Sequence, residues 1–383
     1  PIDISASSIY PATLYDGIQT NTGLVLFSKN QQFMLTTDSD VFSPLTAKIN
    51  ALSTYNFNYS TNPISLGTTL GFLDNAGKYS RFFEMAQLQR EGEPQIIEQS
   101  AVVSRLFEKD LKLISNSREN SVIFFSEEGT STLYGYRYFD QITERKLASW
   151  FKWTLTGTIQ YHCMQDDNLY VVVDNGGKHQ LLKYAIKMDS NTLALAENRV
   201  HLDNMKSMNM PTSGSNIGYN RDTDRSFFPK PTGYESSNQL AVYSVSDTGP
   251  NTLGRYNKAY FVGNNIEVDG DWRGTNFILG YLFTMEVELP TIFYVTQVGE
   301  NWRADTRANT ILHRVKFGFG PIGLYETTLK RTGRVDYTEL FELTAADGYQ
   351  ATTSPINDDD NLRTVPIYDR NINTNLTIKS THP

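Results

Sequence analysis

A hairpin pattern recurs through the first half of the chain and limits its fold more than any other feature. Residues 24–36 (LVLFSKNQQFMLT), 69–86 (TLGFLDNAGKYSRFFEMA), 122–138 (VIFFSEEGTSTLYGYRY) and 169–187 (LYVVVDNGGKHQLLKYAIK) share one form. Each is an apolar run, a polar turn and a second apolar run. The runs are rich in β-branched and aromatic residues, which fit a pleated, half-buried surface. The turns are Ser28-Lys29-Asn30, Asp74-Asn75-Ala76-Gly77, Glu127-Glu128-Gly129 and Asp174-Asn175-Gly176-Gly177. Asn and Gly tolerate the positive φ that tight turns require. The first strands begin near residues 24, 69, 122 and 169, a spacing of about 50 residues that marks the blades of a propeller. One blade cannot bury both its faces, so neighbours must stack around an axis. The competing reading is an irregular β-sandwich with chance spacing.

The rest of the chain extends the β reading. Residues 43–52 and 60–66 are polar and carry Pro44 and Pro63, and read as linking strands and loops between hairpins. In 90–110, Ile96, Val102, Val103, Leu106 and Phe107 fit one short amphipathic helix. Residues 189–238 are dense in Asp, Asn, Ser, Gly and Pro, which predicts a domain change with long loops. Strand texture returns at 240–245, 260–262, 277–286, 291–295, 311–317, 323–330 and 337–343, with alternation through 312–317. The tail from 347 is polar, with strand-like 364–368 and 376–378. The expected fold class is all-β: a propeller-like region of antiparallel hairpins plus a second, sandwich-like lobe. The expected domains are propeller blades over 1–190, a loop-rich β lobe over 191–310, and C-terminal strands over 311–383 that complete either. The chain opens without Met or a signal-peptide pattern and is expected to be part of a longer polypeptide.

Composition narrows the function. Net charge is -8 over 383 residues, which argues against a protein that grips DNA by neutralising phosphates. It does not argue against a wall that DNA slides past. The single cysteine, Cys163, leaves no internal disulfide framework and no cysteine-rich zinc site. No apolar run approaches the ~20 residues of a membrane-spanning helix.

Candidate chemistry thins out on inspection. Gly318-Phe319-Gly320-Pro321-Ile322-Gly323 matches GxGxxG, but a dinucleotide site needs that motif to open a helix. Pro321 interrupts it and a strand follows, so it reads as a hairpin turn. Glu267-Val268-Asp269-Gly270-Asp271 clusters carboxylates without calcium-loop spacing and reads as a solvated turn, as does Asp358-Asp359-Asp360. His162 and Cys163, near Asp166 and Asp167, resemble a nucleophile and base. Neighbours on a strand face opposite sides, which separates them. His179, His201, His313 and His382 have no metal-ligand spacing. Trp150, Trp153, Trp272 and Trp302 could be sugar platforms. Trp150 and Trp153 lie three apart in one strand, so they face opposite sides and suit packing better. No residue emerges as catalytic, cofactor-binding or metal-binding, and no cofactor is expected.

Several stretches together resemble one family. They are Pro1-Ile2-Asp3, the strand Gln31-Gln32-Phe33-Met34-Leu35-Thr36-Thr37, the hairpin start Gly67-Thr68-Thr69-Leu70-Gly71-Phe72, and the aromatic strand Leu133-Tyr134-Gly135-Tyr136-Arg137-Tyr138. Then come Leu147-Ala148-Ser149-Trp150-Phe151-Lys152-Trp153, Asn168-Leu169-Tyr170-Val171-Val172-Val173, and the strands in 272–283 and 311–328. Their content and order resemble the tail nozzle protein of short-tailed phages, also called tail tubular protein B. The resemblance implies a non-enzymatic virion protein that forms a homohexameric ring at the distal end of the tail. It implies a place below the adaptor (tail tubular protein A) ring, contacts with tail fibres, a channel that passes genome DNA without reading its sequence, and assembly in the host cytoplasm. Two other classes stay open: a virion-associated glycan-degrading enzyme, and a propeller that binds a receptor or another protein.

Overall fold

The computed structural model describes residues 12–37, 42–43, 45–86, 94–107, 110–141, 144–186, 200–214, 216–234, 239–245, 250–251, 253–298, 301–319, 324–341 and 361–381. These residues form an all-β protein with no α-helix among them. The chain divides into two compact units, Pro1–Met188 and Asp189–Pro383.

The first unit is four consecutive antiparallel meanders. The first sheet is β1 (Leu14–Gln19), β2 (Leu24–Ser28), β3 (Gln32–Thr37) and β4 (Ala47–Ser53). The second is β5 (Ile64–Ser65), β6 (Leu70–Asp74), β7 (Arg81–Ala86) and β8 (Gln95–Glu98). The third is β9 (Leu113–Ser117), β10 (Val122–Ser126), β11 (Thr132–Gln141) and β12 (Glu144–Thr154). The fourth is β13 (Thr158–Gln165), β14 (Asn168–Asp174) and β15 (His179–Ala185). The four repeated hairpins are thus β2–β3, β6–β7, β10–β11 and β14–β15, the middle pairs of their sheets in the first three cases.

Cores lie between successive sheets, as the repeat requires. Val25, Phe27, Met34 and Leu52 of the first sheet meet Leu70, Phe72, Phe83 and Met85 of the second. Leu73 and Phe82 of the second meet Ile123, Phe125, Tyr134 and Tyr136 of the third. Val122, Phe124 and Leu133 of the third meet Ile159, Leu169, Val171 and Val173 of the fourth. A strand that buries both faces needs an unbroken apolar run, and all five residues of β10 are buried. Backbones of successive sheets approach each other at their first strands, β5 with β9 and β9 with β13.

The connections between hairpins include one expectation that fails. The polar stretch 43–52 holds the linking strand β4, whose alternation supplies Leu52 to the core. The helix expected in 90–110 is instead β8 and a three-residue 3-10 turn, Ala101–Val103. Val102 is exposed and Phe107 is buried; backbone pairing with β7 outcompetes a weak helical period.

The second unit opens with β16 (Asp203–Asn209), β17 (Gly218–Asn220), β18 (Arg225–Pro229), β19 (Leu240–Ser244), β20 (Tyr256–Val262), β21 (Asn265–Asp269) and β22 (Asn276–Tyr281). They form one seven-stranded sheet ordered β16-β22-β19-β20-β21-β18-β17. Phe228, Leu240, Val242, Ile266, Val268, Phe277 and Leu279 share a core with the loop residues Tyr234 and Trp272. Strands from across the sheet thus face one interior, so the sheet curls over it. Strands β16 to β18 occupy a region whose composition reads as loops, because their side chains are largely polar.

The remaining strands are β23 (Met285–Glu288), β24 (Tyr294–Val298), β25 (Asn301–Asp305), β26 (Ile311–Phe319), β27 (Tyr325–Arg331), β28 (Tyr337–Phe341), β29 (Asn361–Arg370) and β30 (Thr374–Ser380). The expected single strand 277–286 is β22 and the start of β23, in two different sheets. A sheet ordered β23-β30-β27-β28 packs Leu329 and Leu376 against Val365 and Ile367 of the two-stranded β26–β29 ribbon. The GxGxxG stretch joins these two layers: β26 pairs with β29 and β27 with β28 and β30, so its flanking strands do not form a hairpin. Residues 320–323 lie outside the described residues.

Candidate functional site

The structure separates the chemistry-bearing residues singled out above. His162 lies on the core side of β13, 2% exposed, and Cys163 is on the other side of the strand. The His162 Nδ1 sits 2.7 Å from the Ser115 Oγ, and burial lowers the imidazole pKa to about 4. At neutral pH the ring is an uncharged packing element between the third and fourth sheets.

The carboxylates of the 267–271 stretch are divided between two arginines. Arg225 donates through Nε to Asp269 at 2.9 Å and through Nη1 to Glu267 at 3.3 Å. Arg273 grips Asp271 through Nε and Nη2 at 2.9 and 2.7 Å. Glu267 and Asp269 lie on β21, so the expected solvated turn is instead a strand that ends at Asp269, before Gly270 at φ 86°. The run 358–360 and His382 lie outside the described residues, as does the side chain of Trp302.

The other three tryptophans are structural. Trp150 packs between the second and third sheets and Trp153 between the third and fourth, on opposite faces of β12. Trp272 is 1% exposed and donates from Nε1 to the Asp269 carbonyl at 2.9 Å.

The most developed polar cluster is one that sequence reasoning missed. Glu84 on β7 is buried between sheets. Its carboxylate accepts from Thr69 Oγ1 at 2.7 Å, Gln99 Nε2 at 2.8 Å, and both Nη1 and Nη2 of Arg145 on β12. Arg145 also donates to both oxygens of Asp140 at 2.7 and 3.0 Å, and its guanidinium lies 4.9 Å from the Tyr138 ring centre. Burial works against the arginine's charge, but the bonds to Asp140 and Glu84 more than offset it and hold its pKa above the usual value. Burial, and then the Glu84 charge, push the Tyr138 hydroxyl up to about 12. Tyr136 hydroxyl and Trp150 Nε1 bond Gln99 and close the network. Its hydrogen bonds and ion pairs tie sheets two and three together. The only sequence signal was the charge on a strand that otherwise reads as aromatic wall.

This network anchors a projection. β10 pairs with β11 only as far as Arg137, whereas β11 and β12 continue to the pair Gln141 and Glu144. Beyond the sheet the ribbon carries the cross-strand pair Phe139 and Leu147, 54% and 42% exposed. On the outer face of the fourth sheet, Tyr161, Val172 and Leu181 form one cross-strand row, with Tyr161 and Leu181 exposed. The first unit therefore offers exposed apolar surfaces beside one buried ion-pair network.

No curated protein matches the chain in sequence. The family model described as bacteriophage nozzle protein matches residues 1–383, the whole of this sequence. The chain belongs to the bacteriophage nozzle protein family and is a structural protein of the phage tail.

Proposed function

We propose that this chain builds the wall of a ring at the distal end of the tail, through which genome DNA leaves the particle. The observation that carries this reading is the family match along the entire sequence. In this reading six copies form the ring, an adaptor ring sits above it, tail fibres attach to it, and subunits fold in the host cytoplasm before assembly. The blade-like sheets of the first unit are blades of a propeller. The domain scheme of blades over 1–190, a loop-rich β lobe over 191–310 and C-terminal strands over 311–383 that complete either belongs to the same reading.

The physical properties support a conduit. Blade-like sheets with cores between them give a stiff wall. A net charge of -8 repels phosphates, so DNA can slide without sticking. The Phe139–Leu147 projection and the Tyr161–Leu181 row are the contacts assigned to neighbouring subunits. Apolar anchors of this kind are enriched at interface centres.

Negative-stain imaging of the purified protein tests the reading. A ring with a central hole is the expected result. A monomer that binds a host surface component, or one that cleaves glycans, overturns it.

A further inference from the structure

We propose that the outward face of the β26–β29 ribbon is a contact surface for the phosphate backbone of duplex DNA. On a chain of net charge -8, this face is basic. Exposed side chains on β26 are Ile311, His313, Arg314 and Lys316, and those on β29 include Thr364, Pro366, Tyr368 and Arg370. None is acidic. Asp369, also on β29, is only 13% exposed and pairs with Arg334 at 3.6 Å. Arg314, Lys316 and Arg370 make no ion pair with any described residue, so their charges are available to a partner.

A bulge creates this face. The ladder steps from Leu312 opposite Asp369 to Arg314 opposite Pro366, which leaves one extra residue on β29. The inward side takes the surplus, since Ile367 is buried in the ribbon's core. At the bulge Tyr368 adopts φ 48°, uncommon for a bulky residue. Its ring meets His313 edge-on at 5.8 Å. Strict alternation across 312–317 would turn His313 and Arg314 to opposite faces; the bulge leaves both exposed. Arg314 and Lys316 then stand about 7 Å apart along one strand. Residues two apart on a straight strand form a row of charge that suits a regularly spaced polyanion. The partner is therefore recognised by charge and not by sequence. Three cations on an acidic protein make a guiding contact and not a grip.

The inference takes its setting from the conduit reading and is tested separately from it. Anisotropy of a labelled duplex of about 20 base pairs is followed with the full chain from about 50 to about 200 mM salt. Relative to the Arg314→Ala/Lys316→Ala/Arg370→Ala variant, the natural chain should show a salt slope steeper by about 2.7, or about 0.9 per cation. That corresponds to about 40-fold more affinity lost over the fourfold rise in salt. An Arg314→Lys/Arg370→Lys variant should keep the slope, and two duplexes of unrelated sequence should bind alike. Equal slopes for the natural chain and the alanine variant, or no binding by the natural chain, overturn the inference. Equally tight binding of polyglutamate overturns it in favour of an acidic protein partner. Lost DNA contact with rings intact removes only this inference; absent rings with DNA contact intact remove only the conduit.

Discussion

Replacing Arg145 by Met keeps the aliphatic stem over Tyr138 and deletes the charge. It leaves the Glu84 carboxylate, 5% exposed, with only the neutral donors Thr69 and Gln99. Removing one partner of a buried pair costs about 3–5 kcal/mol. The arginine side chain is itself 21% exposed, which lowers the expectation to about 3 kcal/mol. For a unit of this size, each kcal/mol lowers the melting temperature by about 2–4 °C, so a fall of roughly 6–12 °C is expected. Arg145→Lys keeps one cation but cannot fork to two carboxylates, and should cost about half as much. The assay is urea unfolding followed by tryptophan fluorescence, since Trp150 stacks 4.4 Å from Tyr136 inside the same cluster. Glu84→Gln and the double variant complete a cycle with an expected coupling of at least ~1 kcal/mol. Additive effects, or a cost for Arg145→Met under ~1 kcal/mol, would refute the claim that this network ties the second and third sheets together.

Four further outcomes are expected. Gly135→Ala places a Cβ 2.0 Å from the Phe151 ring, so the ring must leave its seat; a loss of about 1–3 kcal/mol should appear in the same unfolding assay. The His162 pKa is about 4 in the folded chain and about 6.5 unfolded. The unfolded state therefore binds more protons between those values, and stability is full above pH ~6.5 and falls by about 3 kcal/mol as pH drops to ~4. His162→Leu should flatten that part of a stability-versus-pH curve. Trp272→Ala empties the core of the seven-stranded sheet and should cost about 3–5 kcal/mol, read as loss of cooperative unfolding of the second unit. Phe139→Ser with Leu147→Ser should leave the melting temperature within ~2 °C while shifting rings toward monomers in sedimentation, because both side chains are exposed.

The hairpins of the first unit were legible in sequence because each signal is local. Apolar runs near residues 24, 69, 122 and 169 and turns such as Asp174-Asn175-Gly176-Gly177 state strand, turn and strand within 20 residues. Alternation on one strand also placed Trp150 and Trp153 on opposite faces, and separated His162 from Cys163, without any coordinates. The spacing further implied that sheets stack, since a blade with two apolar faces must be covered on both.

Tertiary structure alone decided the rest, because it depends on which distant residues meet. Glu84 and Arg145 lie 61 positions apart and carry no mutual signal until two sheets bring them together. Strand β8 displaced a helical period because β7 offered its open edge. The bulge at Tyr368 was invisible because a pattern that alternates in sequence gains its extra residue only when pairing with a partner strand sets the register. Sequence by itself determined the class of material, a wall of stacked antiparallel sheets. The fold decided where that wall is pinned, where it projects, and where an acidic chain turns a basic face outward.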